Sequence, residues 1–174
     1  HRRQSYYKSA SKWLDLKSKI ESFVVDFAKQ NYSFNFDLLF YDVTTLYFET
    51  FEQDELRKNG FSKDNKSQQP QILIALMVTK EGFPISYEVF SGNTFEGHTI
   101  IPVVNDFIRR HAVKEFTIVA DAAMISTENI KQLVANNINY IVGARLGNLS
   151  NEHIEQIDKN VSREDGKSIR IKTD

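Results

Sequence analysis

Apolar positions recur along this chain with two different periods, and the alternation between them lays out the elements. Within residues 11–30, Trp13, Leu16, Ile20, Phe23, Val24 and Phe27 fall at helical spacing, with Lys12, Lys17, Lys19, Glu21 and Asp26 elsewhere around the wheel. The spacing predicts an amphipathic helix that packs through Trp13 and its apolar neighbours. Residues 36–48 carry apolar or aromatic side chains on both alternating faces, which predicts a strand buried on both sides. Residues 52–69 are polar, with Arg57, Lys58, Lys63 and Lys66 around Gly60-Phe61, and read as a long loop containing one helical turn. Residues 71–79 and 85–90 are two further strands, and the Lys80-Glu81-Gly82-Phe83-Pro84 connection makes them an antiparallel hairpin.

The second half of the chain switches period. Ile100, Ile101, Val104, Phe107, Ile108 and Ala112 share one helical face, and Pro102 is tolerated in a first turn, so a helix of about three turns follows the hairpin. The run Phe116-Thr117-Ile118-Val119-Ala120 is a fourth strand, closed by Asp121. Ser126 is the expected N-cap of a shorter helix bearing Ile130, Leu133 and Val134 and stopped by Asn136-Asn137; a fifth strand covers residues 138–144. Asp165-Gly166 is a turn signal before the alternating Ser168-Ile169-Arg170-Ile171-Lys172, which predicts one more strand. The order is β-β-β-α-β-α-β, an α/β fold. A right-handed crossover lays the fourth strand parallel to the first and brings Asp42 and Asp121 onto neighbouring strands.

Composition narrows the function classes. The formal net charge of −1 supplies no global basic field, so contact with nucleic acid has to come from a local patch. The sequence has no cysteine, which excludes disulfides and thiolate metal sites and leaves oxygen donors and four histidines. No apolar run reaches the roughly 20 residues that span a bilayer, and no signal peptide is visible, so the default expectation is a cytoplasmic protein without membrane contact.

Against this background the two aspartates carry the chemistry. Asp42 interrupts an apolar strand, where an unpaired carboxylate is costly. Asp121 stands at the carboxyl end of a strand, where open α/β sheets place their ligands. Two carboxylates on adjacent strands suit a hard divalent cation and the two-metal chemistry of phosphodiesters. The plainer reading is that Asp42 bonds a nearby backbone group and Asp121 caps the following helix. Lys63, Arg57 and Arg145 are candidate phosphate contacts. Gly92-Asn93-Thr94 makes the turn out of the third strand, with Asn93 a candidate DNA contact, and His98 lies close in sequence to that turn.

Several ordered blocks resemble one family. Leu39-Phe40-Tyr41-Asp42-Val43-Thr44-Thr45, Gly60-Phe61-Ser62-Lys63-Asp64, Glu81-Gly82-Phe83-Pro84-Ile85, Tyr87 to Thr94, and Val119-Ala120-Asp121-Ala122 look like the successive blocks of bacterial insertion-sequence DDE transposases of the IS4 superfamily (IS1634-like). The resemblance implies a ribonuclease H-like mixed five-stranded sheet with flanking helices. It also implies that Asp42 and Asp121 are the first two catalytic and metal-binding carboxylates, holding two Mg²⁺ or Mn²⁺ ions in the complete site. The implied reaction is phosphodiester hydrolysis and DNA strand transfer, with transposon ends and target DNA as partners and room for a homodimer of the full-length protein.

The family often has glycine shortly after the second aspartate, where this chain reads Asp121-Ala122-Ala123-Met124. The third acidic residue of the family lies on a helix beyond a mostly β insertion, outside these residues; Glu152, Glu155 and Glu164 do not match it. The expected division is therefore a helical segment at 1–34, a partial catalytic core at 35–146 and the start of a truncated β-rich insertion at 147–174, with the fragment itself inactive. Two rivals stand beside this: a ribonuclease H-like nuclease without strand transfer, and an inactive DNA-binding or scaffold remnant of a transposon.

Overall fold

A computed structural model describes residues 3–61, 68–113, 115–124, 126–143, 147, 149–162 and 164–170. The chain forms two compact units, residues 1–142 and residues 143–174. In the first, α1 (Arg3–Tyr32) precedes β1 (Leu38–Tyr47), β2 (Gln71–Thr79) and β3 (Pro84–Ser91). A 3-10 turn (Glu96–His98), α2 (Ile100–His111), β4 (Thr117–Ala120), α3 (Thr127–Ala135) and β5 (Asn139–Val142) follow. The second unit holds α4 (Asn151–Asn160).

The five strands form one mixed sheet in the order β3-β2-β1-β4-β5. β1 pairs antiparallel with β2, and β2 with β3, while β4 runs parallel to both β1 and β5. This is the β-β-β-α-β-α-β sheet expected from the sequence, with β1 at its centre. Its inner face buries Leu39, Tyr41 and Val43 of β1, Leu73, Ala75 and Met77 of β2, and Ile118 of β4. α2 lays Ile100, Val103, Val104 and Phe107 into the same core. Each such side chain contributes roughly 1.5–3 kcal/mol relative to exposure. α3 is capped as the sequence predicts, with the Ser126 hydroxyl accepting the Asn129 N–H at 3.1 Å, and past its last residue, Ala135, the chain turns away through Asn137, held at φ 57°. Asparagine tolerates this left-handed conformation better than most residues.

Four expectations are corrected. First, β1 is not buried on both sides: burial alternates along it, and Phe40, Asp42, Thr44 and Leu46 are exposed. Second, α1 packs through a different face. Trp13 is 60% exposed and Phe23 69%, whereas Glu21, Val25 and Ala28 are buried. The cause is ionic: Glu21 pairs with Arg110 of α2, and Lys17 reaches both Glu21 at 3.0 Å and Glu88 of β3 at 2.8 Å. Arg110 also pairs with Asp106 one turn back. Hydrophobic periodicity cannot register such a contact.

Third, the polar stretch after β1 has no helical turn among its described residues. It runs as a strap in which Lys58 bridges to Gln71 by backbone bonds of 3.2 and 2.9 Å. The Gln71 side chain donates to the Gly92 carbonyl at 2.8 Å, and Gly92 N–H donates to Leu56 O at 2.9 Å. A Cβ on Gly92 would fall 2.0 Å from the Gln71 carbonyl oxygen, and one on Gly60 the same distance from the Gly92 carbonyl oxygen. These two glycines are needed for close backbone approach. Fourth, the second unit contains a helix, α4, and Ser168–Arg170 form no strand; Ile171 and Lys172 lie outside the described residues.

His111 closes α2 with its ring 4.8 Å from that of Phe107. Burial, then the nearby Arg110 and Lys29, holds its pKa below the usual histidine value. The unfolded chain therefore takes up the proton first as pH falls. Stability is expected to be fully present above about pH 6.5 and to decline below it, a slope that His111→Phe should flatten in denaturant titrations across pH 5–7. An unchanged slope in His111→Phe would overturn the assignment.

Candidate active site

β1 and β4 set the geometry. Their registered pairs run Leu38 with Thr117, Leu39 with Ile118 and Phe40 with Val119. Asp42 lies two residues further along β1, and Asp121 one residue past the end of β4, so extending the register by two positions would set them opposite one another. Residues paired across parallel strands share a sheet face, and the face alternates at every residue. Leu39 and Ile118 are both fully buried, so Phe40 and Asp42 belong to the outer face. Both aspartates are exposed. Asp42 therefore does not pay the desolvation cost that its apolar strand suggested.

Each carboxylate is oriented by local backbone. Asp42 Oδ1 accepts the Val43 N–H at 2.8 Å. Asp121 Oδ1 accepts the N–H of Ala123 at 2.7 Å and of Met124 at 3.2 Å, closing the turn that leaves β4. These bonds match the plainer reading in part, and among the described residues they engage only Oδ1 of each aspartate. Ala122 and Ala123 do not adopt positive φ, so the turn forms without the glycine that the resembling family often carries.

Asn129 of α3 locks this turn from behind. Buried within the protein, its Nδ2 donates to the carbonyls of Met124 at 3.0 Å and Gly97 at 2.5 Å, tying the Asp121 turn to the 3-10 turn. On the other side, the Tyr41 hydroxyl, one residue before Asp42, donates to Thr99 Oγ1 at 2.7 Å, and Thr99 donates to Glu96 O at 2.6 Å. Burial pushes the Tyr41 pKa well above the ordinary tyrosine value, so this hydroxyl stays protonated. Residues 96–99 therefore brace both aspartate-bearing strands. Asn129 is not among the candidates that the sequence singles out; its signal is a polar residue four positions before the core residue Leu133.

The remaining candidates are less central. Asn93 is exposed in the turn after β3, with Oδ1 accepting from the Ser91 hydroxyl at 2.7 Å. Arg57 is held by Asp54 at 2.7 Å and lies 5.5 Å over the Phe48 ring, which makes it a bracing residue of the strap. His98 stacks edge-on against Phe95. Glu155 pairs with Lys159 and Glu164 with Lys167, both exposed. Lys63 and Arg145 lie outside the described residues. Among the described residues, no three His, Asp or Glu side chains converge as a metal-binding group, and no helix is long and apolar enough to cross a membrane.

Comparison with known proteins adds the family. The profile described as "Transposase DDE domain" matches residues 35–172. No curated protein matches the chain. Among solved structures, the Mos1 transposase paired-end complex with left transposon end is similar at 11% identity and a TM-score of 0.42, covering 82% of this chain and 53% of that one. The chain thus spans about half the length of that relative. The catalytic domain of Mos1 mariner transposase matches at 10% identity and a TM-score of 0.42, covering 82% of this chain and 79% of its own. The piggyBac transposase synaptic complex with hairpin DNA matches at 14% identity and a TM-score of 0.46, over 83% of this chain and 32% of that one.

Proposed function

The chain belongs to the DDE transposase domain family, and from that premise we propose that it is the two-aspartate part of a DNA transposase catalytic domain, with Asp42 and Asp121 as its first two catalytic carboxylates. The observation that carries this is the β1–β4 register, which is consistent with a shared pair of side chains on the exposed face. The sequence blocks favour the IS4 superfamily (IS1634-like) within the family. The partners of the whole protein are DNA, as transposon ends and target, and a second copy of itself.

Two carboxylates with hard oxygen donors, and with no cationic side chain paired to either among the described residues, fit Mg²⁺ or Mn²⁺. When bound, such ions supply an activated water or 3′-hydroxyl nucleophile and stabilise the leaving oxygen of an in-line displacement. The protein's own contribution is positional. The Val43 N–H and the Ala123 and Met124 N–H groups fix one oxygen of each aspartate. Exposure leaves both groups open to solvent and to a phosphodiester. The third carboxylate belongs to a helix that the family resemblance sets beyond these residues.

The test is metal binding. With two of three carboxylates, the chain should bind Mn²⁺ weakly, because ligand number and charge set affinity at oxygen sites. Water-proton relaxation titrations should show that Asp42→Asn and Asp121→Asn each reduce binding by roughly tenfold or more. Equal Mn²⁺ binding in the unmodified chain and both variants would sink the assignment.

A further inference from the structure

The apolar stripe that helical spacing marks on α1 is not the face that packs on the core. Trp13, Leu16, Ile20, Phe23 and Phe27 recur at intervals of 3, 4, 3 and 4 residues, the spacing of a coiled-coil seam. Leu16, Ile20, Phe23 and Phe27 are 40–69% exposed. The core takes Glu21, Val25 and Ala28 instead, and at about 100° per residue these lie roughly 120° round the helix from the stripe.

The stripe is ordered before anything meets it. Docking through Glu21, Val25 and Ala28 holds α1 helical, so no helix has to nucleate on association. The Phe23 and Phe27 rings stack at 6.2 Å between centroids, Phe27 meets Tyr32 edge-on at 5.8 Å, and Tyr32 lies 6.2 Å from Phe83 in the β2–β3 connection. The aromatic end of the stripe is thereby anchored to the sheet, and rings already seated lose little freedom on binding.

The charges beside the stripe select its occupant and the direction of pairing. Lys12, Lys19 and Asp26 recur every seven residues along one flank, and all three are exposed. In a two-fold antiparallel pair of α1 helices this flank meets itself, and Lys19 of each copy faces Asp26 of the other. In the same register Ile20 opposes Phe23 and Leu16 opposes Phe27, so every layer of the seam between residues 16 and 27 is apolar on both sides. Trp13 falls at the end of the seam, opposite Gln30. A parallel pair would instead set Lys12 of one copy beside Lys17 of the other, a like-charge contact. The stripe therefore complements itself in the antiparallel direction.

We infer that α1 is the seam of an antiparallel homodimer, in which Leu16, Ile20, Phe23 and Phe27 pack against the same residues of a second copy and Lys19 faces Asp26 across each flank. The second copy named above thereby gains a surface. The seam rests on α1 and not on the two aspartates, so its failure would leave the transposase reading standing.

The test is sedimentation equilibrium of the 174-residue chain from about 1 to 100 μM, where a dimer should form. Phe23→Glu should weaken it on the order of 100-fold or more, because two-fold symmetry brings the charge into the seam twice. Lys19→Asp and Asp26→Lys should each weaken it about 5- to 20-fold, since each turns two attractions into two repulsions. The two changes combined in one chain should restore the affinity to within about threefold. An equimolar mixture of the two single variants should also dimerise more tightly than either alone, because every flank then sets aspartate against lysine. Circular dichroism should show all of these variants folded, as expected for exposed positions. A chain that stays monomeric at about 100 μM, a dimer that survives Phe23→Glu, or a charge swap that fails to rescue overturns the seam. Mn²⁺ binding, which reads the aspartates, should be the same in every variant.

Discussion

On the proposed reading, alanine at Asp42 or at Asp121, placed in a longer protein that supplies a third carboxylate, is expected to lower Mg²⁺-dependent cleavage of transposon-end DNA on the order of 10⁴-fold or more. The magnitude follows from groups that act as one unit, where losing a single member removes most of the rate enhancement. The same logic fixes the double variant: Asp42→Ala with Asp121→Ala should be no slower than the worse single variant. Stability should not follow activity. Both side chains are exposed, so Asp42→Ala should unfold within about 0.5 kcal/mol of the parent, while Asp121→Ala, which also loses the N–H bonds of Ala123 and Met124, should cost about 1 kcal/mol. The 174-residue chain itself should fold and cleave nothing detectable. Gel analysis of end-labelled DNA reads all three results, and the products separate strand transfer from plain hydrolysis. Retained cleavage in either single variant, with contaminating nuclease excluded, would remove these residues from the mechanism.

The parts of this site that could be read from sequence are those set by strand period and strand order. Asp121 closes an apolar strand, and a right-handed crossover puts that strand beside β1. Both statements need only the pattern of apolar residues, and the paired register follows. What the pattern could not decide is whether an apolar face is covered. Phe40 and Leu46 share the parity of Asp42 and are 40% and 47% exposed, yet their apolar character alone reads as burial. The argument for Asp42 from desolvation cost therefore fails, and the proposal for it rests on the β1–β4 register instead.

The braces around the site were not legible for a different reason. The Asn129 amide bonds two carbonyls from segments 32 and 5 residues away, and the Gly60–Gly92 seam brings together residues that no local period connects. Such contacts are tertiary and polar, and hydrophobic periodicity is blind to both properties. The family blocks around Gly60 and Gly92 do contain this information. They mark where backbone must approach backbone, so at least part of that resemblance reflects packing of the strap. The helix α4 was missed where Ser150 and the acidic Glu152 already offered an N-terminal signal, with the Ser150 hydroxyl accepting the His153 N–H at 3.3 Å.

Glu21→Ala is expected to destabilise the first unit by about 3 kcal/mol, the largest stability loss among single changes in α1. Glu21 and Arg110 keep only 8% and 11% of their side-chain surface, so their pairing is made largely out of water. Removing one partner of a buried pair leaves an uncompensated charge, which costs roughly 3–5 kcal/mol. Asp106 and Glu88 remain within reach of Arg110, the latter at 3.6 Å, which sets the expectation at the lower end. By contrast Trp13→Ala, at the residue that helical spacing marks as the packing anchor, should cost no more than about 0.5 kcal/mol because the indole is exposed. Replacing both charges together, Glu21→Leu with Arg110→Met, should recover most of the loss, since an apolar pair of similar volume carries no desolvation cost. Urea unfolding followed by circular dichroism measures all four proteins. A Trp13→Ala loss exceeding that of Glu21→Ala would mean that α1 is held by its aromatic face and that the ionic contact to α2 is incidental.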